Sequence, residues 1–145
     1  MNGYFPVGGA AGVAEQTVTS RMVDLTHDRA QVTTAETTTS TSYADLATVG
    51  PAITLSPGVT QDRWLGIYGR MHNSTNTSYS LMGVSIGGAA VGVVDLCFNT
   101  TTTEIAQSVT TRTTGATSGS TDTNKYRVSA NTGTFSNRSI HGFSY

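Results

Sequence analysis

Charged side chains are scarce in this chain, at 12% of 145 residues, and the formal net charge is −1. A nucleic-acid-binding surface needs a clear basic excess, so no nucleic-acid partner is expected. There is one cysteine, Cys97, which excludes an intrachain disulfide. It lies in the apolar run VGVVDLCF and is expected to be a buried, inert thiol. No segment reaches the roughly 18 apolar residues of a membrane-spanning helix, so no membrane partner is expected. The opening MNGYFPVGGAAGVAEQ has neither a basic leader nor a continuous apolar stretch, so no secretory signal is expected. The expectation is a soluble protein folded in a reducing compartment, or in a particle assembled there. Hydrophobic residues are also few, at 37%, although the 16 glycines bring the chain near the usual globular range. A thin core follows, and oligomerisation is one way to supply the missing burial.

Threonine takes the place of charge as the surface-forming residue, with runs at Thr37–Thr39 and Thr100–Thr103. A β-branched polar side chain suits the wet face of a sheet. From Arg29 onward strand signals dominate. AQVTTAETTTSTSYADL gives one or two Thr-rich strands, and AITLS (52–56) a short one before a Pro57-Gly58 turn. DRWLGIYGRMH (62–72) sets Leu65, Ile67 and Met71 on one face and Trp64 and Tyr68 on the other. Apolar residues on both faces suit a central strand. SYSLMGVSI (78–86) aligns Met82, Val84 and Ile86; VGVVDLCF (91–98) aligns Val94, Leu96 and Phe98; EIAQSVTTR (104–112) turns Ile105 and Val109 inward. HNSTNTS (72–78) is expected as a loop and TTGATSGSTDTN (113–124) as a long flexible connection. In 121–145, Lys125, Arg127 and Ser129 alternate with Tyr126, Val128 and Ala130 before Asn131-Thr132-Gly133, the pattern of a closing hairpin.

Short strands with turns every 8–12 residues and little helix predict an all-β fold, a jelly-roll-like β-sandwich of about eight strands. Residues 1–28 differ. They are rich in small residues and carry isolated anchors at Tyr4, Phe5, Val13, Met22 and Leu25, with a short helix possible between Ala11 and Leu25. The predicted organisation is an N-terminal arm over 1–28, with a poorly ordered terminus as the alternative, and a sandwich over 29–145. The arm's anchors are the candidate contacts with a partner. Trp64, Tyr68, Tyr79 and Arg138 are candidate subunit-interface residues, the first three because aromatics are enriched at interfaces. Core packing is the default reading of Trp64, Tyr68 and Tyr79, with carbohydrate stacking as a further alternative to the interface.

No catalytic, cofactor or metal residues are expected. Gly83-Val84-Ser85-Ile86-Gly87 matches G-x-S-x-G, but a nucleophile elbow needs a strand turning into a helix, and GGAAVGVVDL follows as a turn and another strand. His27, His72 and His141 are far apart and none has a metal-ligand spacing; His27-Asp28 is the one local His–carboxylate pair. Asp95, within an apolar run, is expected to face outward. The sequons at Asn73, Asn76 and Asn99 are expected by chance in a chain this rich in Ser and Thr.

Two stretches carry a resemblance. ETTTSTSYADLATVGPAITLSPG (36–58) and KYRVSANTGTFSNR (125–138) resemble segments of small β-sandwich structural proteins of tailed bacteriophages, with SYSLMGVSIGG in the place of a Ser- and Gly-rich strand between them. The resemblance spans roughly residues 33–140. The chain departs from it after Arg138, where SIHGFSY replaces an aliphatic run. The resemblance implies a virion component without catalysis, located in the virion and assembled in the host cytoplasm. It would be a capsid decoration (cement) protein, forming homotrimers and clamping neighbouring major capsid proteins. The alternative is a tail-fibre, head-fibre or baseplate module that recognises a host glycan.

Overall fold

The computed structural model describes residues 26–55, 61–89, 91, 95–98, 103–117 and 119–144. The expected arm anchors Tyr4, Phe5, Val13, Met22 and Leu25, the possible helix and the Pro57-Gly58 turn lie outside them. Nine strands are present among the described residues: β1 (Thr26–Val32), β2 (Glu36–Thr38), β3 (Ala52–Thr54), β4 (Gln61–Asn73), β5 (Ser80–Ser85), β6 (Asp95–Phe98), β7 (Ile105–Ala116), β8 (Thr121–Val128) and β9 (Gly133–Ser144). β1 begins inside the segment assigned to the arm: Thr26, His27 and Asp28 already pair with Ser144, Phe143 and Gly142.

All pairings are antiparallel. The front sheet runs β1-β9-β4-β7, with β2 also on β9; the back sheet runs β3-β8-β5-β6. β1 and β2 pair with successive parts of β9, so they act as one interrupted strand. Counted that way, the front sheet holds the first, eighth, third and sixth strands, and the back sheet the second, seventh, fourth and fifth. This is the strand order of a jelly roll, in which every consecutive pair except the fourth and fifth crosses between sheets.

That order corrects the closing hairpin. β8 belongs to the back sheet and β9 to the front, so Asn131-Thr132-Gly133 carries the chain across the sandwich. Alternation along each strand was a sound signal, but it does not say which strand is the partner. At Gly133 a Cβ would lie 2.6 Å from both Ser80 Oγ and Val128 Cγ1, so only glycine fits where the chain enters the front sheet. The expected long connection over 113–124 is also corrected. β7 runs on to Ala116 and β8 starts at Thr121. In β8 the inward positions are Asp122, Asn124, Tyr126 and Val128. The first two are polar, so hydrophobic alternation is silent over the first half of a buried strand.

The core lies between the sheets, where Leu65, Ile67 and Met71 of β4 meet Met82 and Val84 of β5, with Ile53, Leu55, Tyr126, Phe135 and Ile140. Tyr126 packs its edge on Phe135 at 5.1 Å and donates its hydroxyl to Gly50 O at 2.7 Å. Burial pushes that phenol well above its ordinary range. Among the described residues two buried ion pairs lie in the interior. Arg63 of β4 donates to Asp122 of β8 at 2.8 Å, to Ser120 Oγ at 3.1 Å and to Thr117 O, and Asp122 also accepts Gly87 N–H at 3.1 Å. Burial nevertheless raises the Asp122 carboxyl above the usual range, despite the opposing pull of Arg63. The second pair, Arg138 with Glu36, ties β9 to β2 at 2.8 Å.

Candidate functional site

The front sheet's outer face is set by period-two alternation on its four strands. Register aligns His27 (β1), Phe143 (β9), Trp64 (β4) and Arg112 (β7) in one transverse row. The next row is Arg29, His141, Gly66 and Thr110, and the one after it Gln31, Ser139, Tyr68 and Ser108. Trp64 is 37% exposed and Phe143 39%. Their rings lie 6.5 Å apart with planes 23° from parallel, an offset stack. Arg112 is paired with Asp62 at one end of the row, and His27 is exposed at the other. Gly66 has no side chain to fill the second row, and the His141 imidazole lies across it: a Cβ there would be 2.2 Å from both His141 Cε1 and Nε2. Further along, Arg70 faces Glu104 at 3.6 Å, and Ser136 donates to the same carboxylate at 2.8 Å.

The four expected interface residues separate. Trp64 and Tyr68 share this face, with Tyr68 half-buried. Tyr79 is 45% exposed but sits past the other end of β4, held by Ser129 Oγ, which accepts its N–H at 2.8 Å. Nine residues of strand separate Trp64 from Asn73, a span of about 30 Å. Arg138 is corrected outright. Its side chain is fully buried, its guanidinium donates to Glu36 and to Thr34 O, and it lies 5.2 Å from the Tyr126 ring centre, so it offers no surface to a neighbour. Sequence reasoning missed Phe143 and His141. Their place beside Trp64 comes from β9 pairing with a strand about 75 residues earlier, which no local pattern reports.

The loop expected at 72–78 begins at Ser74 and is tied down. His72 and Asn73 belong to β4; Asn73 Nδ2 donates to Ala130 O at 3.2 Å, Ser74 N–H to Thr132 O at 2.8 Å, and Asn131 Nδ2 to Ser78 Oγ at 2.7 Å. Ser85, at the centre of the G-x-S-x-G match, ends β5 and donates to Ala89 O at 2.7 Å. Gly87 and Gly88 follow in left-handed backbone (φ 57° and 81°), a turn and not a helix. On the back sheet's outer side an open groove of about 630 Å³ is lined by Tyr43, Ser85, Lys125 and Arg127 among others. Lys125 there is held by both oxygens of Asp45 at 2.8 Å, and the Arg127 guanidinium lies 4.9 Å from the Tyr43 ring centre. No group of three His, Cys, Asp or Glu side chains suited to a metal occurs among the described residues. The side chains of Asp95, Leu96, Cys97 and Phe98 lie outside the description.

No family model matches the chain. No curated protein matches it either. Among solved structures it is similar to VP2 in the infectious bursal disease virus subviral particle, at 10% identity and a TM-score of 0.50 over 82% of this chain. The chain spans 32% of that VP2 chain. It is also similar to a protein of the Bacillus endospore appendages, described as disulfide-linked pili (15% identity, TM-score 0.39, 83% of this chain and 88% of that one). A third is the C-terminal CBM6 of LamC from Zobellia galactanivorans (10% identity, TM-score 0.42, 79% and 98%). The likeness to VP2 shows the fold: a β-sandwich also used in a viral capsid protein.

Proposed function

We propose that this chain is a non-enzymatic virion structural protein, a capsid decoration subunit of a tailed bacteriophage that binds the assembled head. The observation that carries the reading is the jelly-roll strand order, a body of the same fold as part of a viral capsid protein. The phage-protein resemblance over residues 36–58 and 125–138 supports the finer assignment. In this reading residues 1–25 reach onto neighbouring major capsid proteins through Tyr4, Phe5, Val13, Met22 and Leu25. Each contact is modest, and several copies acting together hold by avidity.

Self-association as a trimer is part of the proposal. The front sheet has two open edges among the described residues, β1 with β2 on one side and β7 on the other. Unpaired strand edges are templates for further pairing. The two edges differ, so a head-to-tail contact between them is the kind that closes a ring. The test is co-sedimentation of purified protein with undecorated shells. The full chain is expected to pellet with shells, and a chain lacking residues 1–25 is expected to stay folded and remain in the supernatant. Equal decoration by the truncated chain would remove the arm from the account.

A further inference from the structure

We propose that the outer face of the front sheet around Trp64 and Phe143 is a saccharide-binding platform, taking a ligand built of pyranose rings. Val49, Trp64, Tyr79 and Phe143 are the exposed large hydrophobic residues among those described, and Trp64 and Phe143 are the two that touch. An aromatic side chain has about 150–250 Å² to bury, so a pair at 37% and 39% exposure offers about 150 Å² of ring surface. A stable protein interface needs about 800 Å² from each partner, built on a larger apolar centre. The apolar area here suits one or two sugar rings.

The chemistry around the rings agrees. A pyranose presents a face of C–H bonds, polarised by the attached oxygens, that complements the negative face of an aromatic ring. Its hydroxyls project around the ring edge and need fixed donors and acceptors. His27 and the Arg112–Asp62 pair stand at the two ends of the aromatic row, and Arg29, His141 and Thr110 lie in the next row. Asp62 accepts, the arginines donate, and histidine and threonine do both. Gly66 keeps the floor beside Trp64 low enough for the His141 ring to lie across it. The platform belongs to the sandwich itself, so it goes beyond shell attachment and does not depend on it.

Trp64 is the sole tryptophan of the chain, so its fluorescence reports directly on ring stacking. The experiment titrates the full chain with oligosaccharides of three classes: neutral hexose, N-acetylhexosamine and uronic acid. At least one class is expected to give a saturable change in emission. Phe143→Ala is expected to weaken that binding at least about tenfold, the scale of one lost aromatic contact. Gly66→Ala, which displaces the His141 ring, is expected to weaken it several-fold while leaving thermal unfolding little changed. Tyr79→Ala, at the far end, is expected to bind as the parent does. The proposal is overturned if no class changes the emission at millimolar concentration. It is equally overturned if Phe143→Ala and Gly66→Ala bind as tightly as the parent.

Discussion

Arg63 and Arg138 occupy interior positions in a thin sandwich, and each is tolerated because a carboxylate meets it. Removing one partner of a buried pair leaves the other charge without compensation, at a cost of about 3–5 kcal/mol. Asp122→Ala is therefore expected to lower unfolding stability by about that amount in denaturant titration, with Arg63→Met/Asp122→Leu recovering most of it. A cost under about 1 kcal/mol for Asp122→Ala would show that the pair does not join the sheets. Glu36 gives a pH signature. Burial by itself raises its carboxyl, but hydrogen bonds from the Thr48 hydroxyl and N–H, with Arg138 beside it, outweigh this and hold it below its ordinary value. A depressed carboxylate contributes stability above its unfolded pKa, near about 4.3, and loses it as pH falls through the folded value. The stability advantage of the parent over Glu36→Gln is thus expected to be full at pH 7 and to vanish in acid. An advantage independent of pH would contradict the assignment. The burial of Arg138 was not legible from sequence, because nothing local announces that Glu36, about 100 residues earlier, lies beside it.

At the scale of elements, legibility followed whether inward residues were apolar. β4 could be read outright, since Leu65, Ile67 and Met71 alternate with Trp64 and Tyr68 and the strand does lie between two others. β5 was equally plain through Met82 and Val84. The start of β8 was not, because Asp122 and Asn124 point inward, Asp122 accepting from Arg63 and Asn124 Nδ2 donating to Ser139 O. The same limit hid the aromatic platform: Trp64 was visible, but its neighbours come from non-local register. β7 is an open edge of the front sheet among the described residues. It spans 12 residues, its only charged side chain is Arg112, and its outward Ser108 and Thr110 are exposed. Lysines blunt an open edge. Ser108→Lys/Thr110→Lys is expected to lower the assembly mass in light scattering while preserving the β-rich circular dichroism spectrum. An unchanged mass would exclude β7 from self-association.

For the whole molecule, the jelly roll explains how few charges and a modest apolar content suffice. Two sheets enclose one core, the buried Arg63–Asp122 pair fastens them, and threonine supplies the wet faces. Among the described residues no strand covers the front sheet's outer face or its β1 and β7 edges, while the bottom-of-sandwich loops at 74–79 and 129–132 are bonded to each other. In the proposed role this body is an adhesive subunit of a larger shell. Electron cryomicroscopy of phage heads with and without bound protein tests it most directly. The expected result is added jelly-roll density at junctions between major capsid proteins, with extra chain continuing from the start of β1 onto their surface. Heads whose maps are identical with and without saturating protein would contradict it.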